Sequence, residues 1–195
     1  MDVKRPFYDD LSFWVLIFTN GATITYTIIE NWPLITIMLV YWVQSCIIGF
    51  FNVIRILSLK EFSTEGYYIN DKPVAPTEQT KRKSAYFFAF HYGFFHAIYA
   101  VFLLTNIEGV SVHHVLFGGI VFFVDHLFSF RYNRERDQKK IQNLGRLMAF
   151  PYARVVPMHL VIVLFGVFLS GALPLLVFLG LKTLADVIMH VVEHY

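Results

Sequence analysis

Charge and cysteine are both scarce in this sequence. Asp, Glu, Lys and Arg make up only 15% of its 195 residues, while hydrophobic residues make up 56%. A soluble chain of this size rarely carries so little charge. The one cysteine, Cys46, excludes an internal disulfide and a zinc site built from several thiolates. The net charge of +2 gives no indication of nucleic-acid binding.

The sequence instead contains several long apolar stretches. A helix needs about 20 residues to cross a hydrocarbon core of roughly 30 Å. Backbone groups in lipid must be satisfied within the protein, and the alternating pattern of a β-barrel is absent, which leaves helices. The sequence predicts an all-α fold, a polytopic transmembrane bundle of six helices that forms a single domain over residues 1–195. The predicted spans lie near residues 11–29, 34–57, 84–105, 115–130, 153–170 and 173–194.

Basic residues are confined to alternate loops. Lys4 and Arg5 precede the first span, and most other Lys and Arg residues fall in the second loop and in the fourth, which extends to Arg154. The first, third and fifth loops contain none. Because positive charge marks the cytoplasmic side, the pattern predicts a multi-pass protein of the cell membrane with both termini in the cytoplasm. The lipid bilayer is its predicted environment, a lipid is a candidate substrate, and the oligomeric state stays open.

The two basic loops differ in their patterns. In residues 134–148 of the fourth loop, apolar side chains recur at helical spacing among basic ones, which predicts a helix on the inner leaflet. A solvated basic linker is the alternative. The second loop, residues 61–83, carries turn formers and two prolines, so it is expected to be largely irregular.

Ionisable residues within the predicted spans fall at similar depths. His91 lies about 10 Å into the third span, at 1.5 Å per residue, and His159 enters the fifth span from the same side. The fourth and sixth spans run in the opposite direction. They bring Asp125, His126, Asp186 and His190 to a similar depth in the membrane. Placing an ionisable side chain in the hydrocarbon core costs free energy, so such residues usually have a function. Imidazole and carboxylate groups suit zinc, or iron at a higher coordination number. The predicted metal ligands are His91, His126, His159, Asp186 and His190.

Other polar residues near this level are candidates for supporting the metal or binding a substrate. Lys182 lies one turn before Asp186 and is expected to pair with it, which would weaken the case for Asp186 as a ligand. Arg55 either holds an anionic group or is an ordinary positive-inside residue. For any single histidine, a hydrogen bond to a neighbouring helix is the alternative. The candidates are Asn52, Arg55, His96, Asp125, Lys182 and His194.

Three functions are compatible with these residues. The first is a zinc-dependent hydrolase, in which the metal lowers the pKa of its water to about 7 and delivers hydroxide to a lipid or another amphiphile. The second is a membrane redox protein that binds haem or iron through its histidines. The third is a metal or proton transporter, which requires polar groups that continue towards the outer side. The hints of such a path are Thr23, Thr25 and Thr27 of the first span and Gln44 and Ser45 of the second.

Several stretches of the chain together resemble one family. They are GFFNVIR in the second span, FHYGFFH in the third, the histidine at the end of the fourth, PYARVVPMHL in the fifth and LKTLADVIMHVVEH in the sixth. In combination they resemble the DUF6498 family of small prokaryotic multi-spanning membrane proteins. The resemblance implies a membrane architecture and no particular activity.

A looser similarity is to the alkaline ceramidase and adiponectin receptor hydrolases, which hold zinc between helices with histidines and an aspartate. The chain departs from them with six predicted spans instead of seven. It also lacks their order of serine, aspartate and HxxxH histidines. No substrate is therefore implied.

Overall fold

The computed structural model describes residues 11–139, 141–165 and 172–194, and these are mostly helical. The helices are α1 (Leu11–Ile29), α2 (Leu34–Ser58), α3 (Glu78–Thr105), α4 (Val112–Lys139), α5 (Leu144–Ala149), α6 (Tyr152–Phe165) and α7 (Ala172–His194). Two-residue strands occur in the second and fourth loops, namely β1 (Phe62–Ser63), β2 (Tyr68–Ile69), β3 (Lys72–Pro73) and β4 (Gln142–Asn143).

Three helical stretches among the described residues are long and apolar enough to cross a membrane. They are Leu34–Ser58, Glu78–Thr105 and Leu144–Leu164, and a shorter apolar helix covers Val112–Phe128. This length and composition are consistent with a membrane protein.

Helix bounds agree with the sequence prediction where apolar residues alone decide them. Helix α1 covers the predicted residues 11–29, and α2 and α7 differ from prediction by one residue at an end. Helix α3 instead begins at Glu78 rather than near residue 84. The hydroxyl of Thr77 accepts a hydrogen bond from the amide of Thr80 at 3.2 Å and caps the helix. Polar residues at this end therefore extend α3 beyond the apolar segment. The predicted fifth span ended at residue 170, and its last residues, 166–170, lie outside the described part of the chain.

The fourth loop does not form the single helix predicted over residues 134–148. Helix α4 continues past the predicted span to Lys139, and a separate short helix, α5, begins at Leu144. The side chain of Asn143 accepts a hydrogen bond from the amide of Arg146 at 2.9 Å, which starts α5 as a new helix. Leu144 and Leu147 are buried in the protein. The apolar spacing therefore reflects packing, and the prediction of one continuous helix is wrong. Its location on the inner leaflet stays a prediction.

The chain forms two compact units. The central unit, Ile35–Tyr152, contains α2 to α5 and the strands. The terminal unit, Met1–Leu34 and Ala153–Tyr195, contains α1, α7 and α6 from Ala153 onward. Each unit brings together its own set of polar side chains.

Helices α2 and α4 of the central unit run in the same direction. Near their starts, the Thr36 hydroxyl accepts a hydrogen bond from the amide of Ser111 at 3.2 Å. Towards their ends, the rings of Phe51 and Phe130 are 5.3 Å apart. The loops that follow these two helices therefore lie at the same end of the unit.

Those loops are joined by a parallel strand pair. Phe62 of β1 pairs with Gln142 of β4, in the register that also aligns Ser63 with Asn143. The second loop also contains a tight hairpin between β2 and β3. The expectation of a largely irregular second loop is therefore wrong in part, because backbone pairing with the fourth loop orders it.

Candidate functional site

Asp186 is the centre of a group of charged side chains in the terminal unit. Its side chain is only 7% exposed. Arg154 of α6 donates from Nη2 to its Oδ1 at 3.3 Å, and Lys182 donates from Nζ to its Oδ2 at 2.8 Å. Lys182 and Asp186 are one turn apart on α7, so they share a face of that helix. The predicted pairing of Lys182 with Asp186 is confirmed.

Lys182 has a second acceptor on α1. Its ammonium also donates to Asn20 Oδ1 at 2.8 Å, and Asn20 is 5% exposed. The Thr183 hydroxyl lies 3.4 Å from the same oxygen and donates to the carbonyl of Leu179 at 2.9 Å. Three helices thus contribute to one set of contacts. We call it the ionic cluster, which consists of Asn20, Arg154, Lys182, Thr183 and Asp186.

Stability alone is a poor reason for such a cluster. Moving two charges out of water costs several kcal/mol per ion, and apolar replacements of buried ion pairs are often as stable. Within apolar helices, paired ionisable residues instead mark ion pathways and proton relays. The ionic cluster is therefore the candidate functional site of the terminal unit. Side-chain cations therefore contact both oxygens of Asp186.

The histidines predicted near Asp186 have different surroundings. His159 of α6 is exposed. His190 lies one turn after Asp186 along the backbone of α7, which places the two on the same face. The side chains of His190 and His194 lie outside the described residues.

A second polar network joins α2 and α3 in the central unit. His96 Nδ1 is 2.8 Å from the carbonyl oxygen of Tyr92. Because a carbonyl only accepts, we assign the ring proton to Nδ1, and Nε2 then accepts from the Ser45 hydroxyl at 3.0 Å. The Tyr92 hydroxyl is 2.6 Å from the same Ser45 oxygen. His96, a candidate from the sequence for supporting a metal, is thus held by Tyr92 and Ser45.

This second network has the character of a packing contact. Ser45, Tyr92 and His96 are all buried. The indole of Trp42 also donates to the carbonyl of His96 at 3.0 Å and adds another bond between the two helices. Hydrogen bonds of this kind between membrane helices contribute about 0.6 kcal/mol on average and fix helix pairing. We therefore interpret the network as a structural contact that holds α2 and α3 together.

His91 and His126 lie among aromatic rings of the central unit. His91 Nδ1 is hydrogen-bonded to the Tyr152 hydroxyl at 2.7 Å. The His126 ring stacks on Phe122 with centroids 5.5 Å apart and contacts Phe51 at 5.2 Å.

The five predicted metal ligands are divided between the two compact units. His91 and His126 belong to the central unit, whereas His159, Asp186 and His190 belong to the terminal unit. Within residues 11–139, 141–165 and 172–194, no group of three or more His, Cys, Asp or Glu residues could hold a metal ion. The five-residue zinc site stays a prediction.

The remaining predicted residues are dispersed over the central unit. The Asn52 amide donates to the carbonyl of Leu147 at 2.9 Å and attaches α5 to α2. Arg55 is half-buried near the end of α2, and Asp125 is exposed on α4.

Sequence reasoning missed three members of the ionic cluster, namely Asn20, Arg154 and Thr183. Asn20 was not singled out, although a carboxamide within the apolar sequence FTNGA is itself a signal. Arg154 was assigned to the fourth loop by its charge, whereas it lies in the first turn of α6.

Comparison with known proteins identifies one family. The profile of a family described as "Family of unknown function (DUF6498)" matches residues 2–195. No curated protein and no solved structure matches the chain. The looser similarity to the alkaline ceramidase and adiponectin receptor hydrolases therefore finds no support. Because the match covers nearly the whole length, the chain belongs to the DUF6498 family.

Proposed function

We propose that the chain crosses the membrane six times, with both termini in the cytoplasm. The pairing of β1 with β4 supports this topology, because it requires the loops after α2 and α4 to lie at the same end of the central unit. Those two loops and the helix ends that flank them also carry most of the basic residues, as expected on the cytoplasmic side.

Labelling of single cysteines tests this topology. In a Cys46→Ser background, we expect a membrane-impermeant maleimide to label Glu108→Cys, in the third loop, on intact cells. Glu65→Cys, in the second loop, should be labelled only after permeabilisation. A C-terminal epitope tag should be digested by protease in inverted vesicles and protected in intact cells. Labelling of Glu65→Cys on intact cells would overturn the topology.

We further propose that the protein transports a cation and that Asp186 is the carboxylate that binds it. One observation carries this proposal: the buried Asp186 side chain is held by Lys182 at 2.8 Å within apolar helices. A transport site must bind its ion and release it again. Of the two cationic side chains that hold Asp186, the Lys182 ammonium is a point charge on a flexible stem, so another cation can take its place more easily than that of the Arg154 guanidinium.

A polar face on α1 adds support. Asn20 and Thr27 are both buried and lie two turns apart, on the same side of the helix. Transport requires polar groups at more than one depth, and these two residues extend the ionic cluster along α1.

Transport has firmer geometric support than the two alternatives. A zinc hydrolase and an iron protein both require several ligands around one metal. The described residues bring no such group together. Transport requires an exchangeable carboxylate and polar groups at more than one depth, for which Asp186, Asn20 and Thr27 are the candidates. We therefore keep the hydrolase and redox interpretations as secondary.

Flux into proteoliposomes tests the proposal. Vesicles with the wild-type protein should take up radiolabelled Na⁺, Rb⁺ or Zn²⁺ faster than protein-free vesicles. Asp186→Asn should abolish the uptake. The control is Asp125→Asn, which neutralises an exposed carboxylate on α4 and should leave uptake unchanged. Absence of uptake for all three ions, or unchanged uptake by Asp186→Asn, would overturn the proposal.

A further inference from the structure

We propose that the hairpin formed by β2 and β3 lies in the headgroup region of the inner leaflet, where Tyr68 and Ile69 contact lipid. The partner of this surface is the bilayer itself. The inference rests on the proposed topology for the side of the membrane, and it is independent of cation transport.

Two adjacent large apolar side chains are exposed on this hairpin. Tyr68 is 61% exposed and Ile69 is 48% exposed. Both belong to the second loop and lie outside the apolar helices. Exposed apolar surface costs about 25 cal/mol for each Å² in water. Neighbouring apolar side chains that stay uncovered in a loop therefore indicate contact with surroundings less polar than water.

The turn of the hairpin keeps these side chains at the surface. Asn70 and Asp71, which connect the two strands, have positive φ angles of 51° and 60°. A two-residue turn of this kind favours Asn and Asp and matches the twist of the strands that it joins. The strands pair in a register that places Ile69 opposite Lys72. The exposure is therefore a property of an ordered hairpin.

A contact with α3 sets the depth of the hairpin. The hydroxyl of Tyr67, the residue before β2, is 3.1 Å from the hydroxyl of Ser84. The apolar segment of α3 begins at Ser84, after the polar residues 78–83. Tyr67 therefore attaches the hairpin near the level at which α3 enters the hydrocarbon core.

The residue types favour lipid over a protein partner. Tyrosine is enriched at membrane interfaces, where its ring contacts apolar groups and its hydroxyl stays in a polar layer. Lys72, opposite Ile69, is exposed, and a lysine can extend its ammonium to lipid phosphates while its stem lies along apolar surface. Asp71 balances the charge of Lys72. Apolar contact, rather than net charge, therefore holds the hairpin at the bilayer.

The fourth loop adds an exposed apolar residue at the same end of the central unit. Ile141, 62% exposed, directly precedes Gln142 of β4, which pairs with Phe62 of β1. The Asn143 amide also donates to the carbonyl of Glu65 at 2.8 Å. The two loops thus form one connected structure with exposed apolar residues on both, as expected of a surface that faces a bilayer.

A fluorophore on single cysteines tests the insertion. In a Cys46→Ser background, Tyr68→Cys and Ile69→Cys are labelled with the polarity-sensitive fluorophore NBD. The vesicles contain a phospholipid that is spin-labelled near the glycerol end of its acyl chain. We expect a shift of the emission to shorter wavelength, quenching by the spin-labelled lipid and protection from aqueous iodide. Glu65→Cys, exposed on the same loop but outside the hairpin, is the matched control and should be quenched by iodide and not by the lipid.

A second substitution separates the hairpin from its label. Tyr68→Ser should reduce the lipid quenching of NBD at Ile69→Cys, because the tyrosine ring would no longer hold the hairpin in the interface. Unchanged quenching would overturn the inference, since the label itself would then be entering the bilayer. Gel filtration checks that each variant is folded, and either labelled position carries the comparison with Glu65→Cys if the other does not fold.

The remaining outcomes distinguish this inference from the proposed topology. Iodide quenching without lipid quenching at the hairpin positions would overturn the inference. Protection from both quenchers would overturn it too, because a protein partner or a second copy of the chain would then cover the hairpin. These results would leave topology and transport intact. Labelling of Glu65→Cys on intact cells would instead overturn the topology, and with it the assignment of the hairpin to the inner leaflet.

Discussion

At the residue scale, the close approach of α2 and α3 depends on a glycine. A Cβ atom added to Gly49 would lie 2.5 Å from Cε1 of Tyr92. The tyrosine ring cannot move aside easily, because its hydroxyl contacts Ser45 and its face stacks on His96 with centroids 4.2 Å apart. Small residues at such positions allow membrane helices to pack closely.

We therefore expect Gly49→Ala to destabilise the protein. Overpacking at a rigid contact should lower the free energy of unfolding by about 1–3 kcal/mol. Gly93→Ala on α3 is the matched control, because a Cβ there meets no atom within 4 Å. Its effect should stay within about 0.5 kcal/mol. Unfolding in detergent measures both variants, and equal losses would contradict the packing argument.

Pairs within one helix could be predicted at this scale, and pairs between helices could not. Lys182 and Asp186 are four residues apart on a predicted helix, so their contact follows from helical spacing alone. Asn20 lies 162 positions from Lys182 and meets it only after α1 and α7 have packed. A single sequence does not reveal which helix faces which. Asn20 was therefore missed as the second hydrogen-bond acceptor of the Lys182 ammonium.

At the element scale, Asn143 has two functions at the start of α5. Its side-chain oxygen caps the helix by accepting from the Arg146 amide, and its amide nitrogen donates to the carbonyl of Glu65 in the second loop at 2.8 Å. One side chain therefore both begins a helix and joins two loops.

Two substitutions of Asn143 separate these functions. Asn143→Ala removes the cap and the bond to Glu65, and should cost about 1–3 kcal/mol of unfolding free energy. Asn143→Asp keeps an oxygen for the cap and loses only the donor, so its cost should be smaller. Limited proteolysis should cleave the second loop faster in both variants. Unchanged cleavage in Asn143→Asp would show that the bond to Glu65 does not order this loop.

Element bounds could be predicted where hydrophobicity changes sharply, as at the end of α1 and the start of α2. They could not be predicted where caps decide them. Thr77 starts α3 before its apolar segment, and Asn143 divides the fourth loop into the end of α4 and a separate α5. Apolar spacing alone does not distinguish one interrupted helix from a continuous one.

At the scale of the whole molecule, the alternation of basic loops predicted which loops share a side. It could not predict that the second and fourth loops pair through backbone hydrogen bonds, because two-residue strands leave no pattern in a sequence. The proposed metal site assumed that residues of similar depth converge. Depth fixes only one of three coordinates, so the five-residue site stays a prediction.

The loop pairing makes a prediction about the assembled protein in a membrane. Parallel strand neighbours lie about 5 Å apart, within the Cα separation that a disulfide accepts. In a Cys46→Ser background, Phe62→Cys with Gln142→Cys should therefore form an intramolecular disulfide under mild oxidation. A protease site placed between the two positions would reveal it, because the cleaved halves should stay joined until they are reduced. Each single-cysteine variant should separate fully after cleavage. If the double variant also separates while both cysteines react with maleimide, the two loops are not neighbours, and the structural support for the six-span topology is lost.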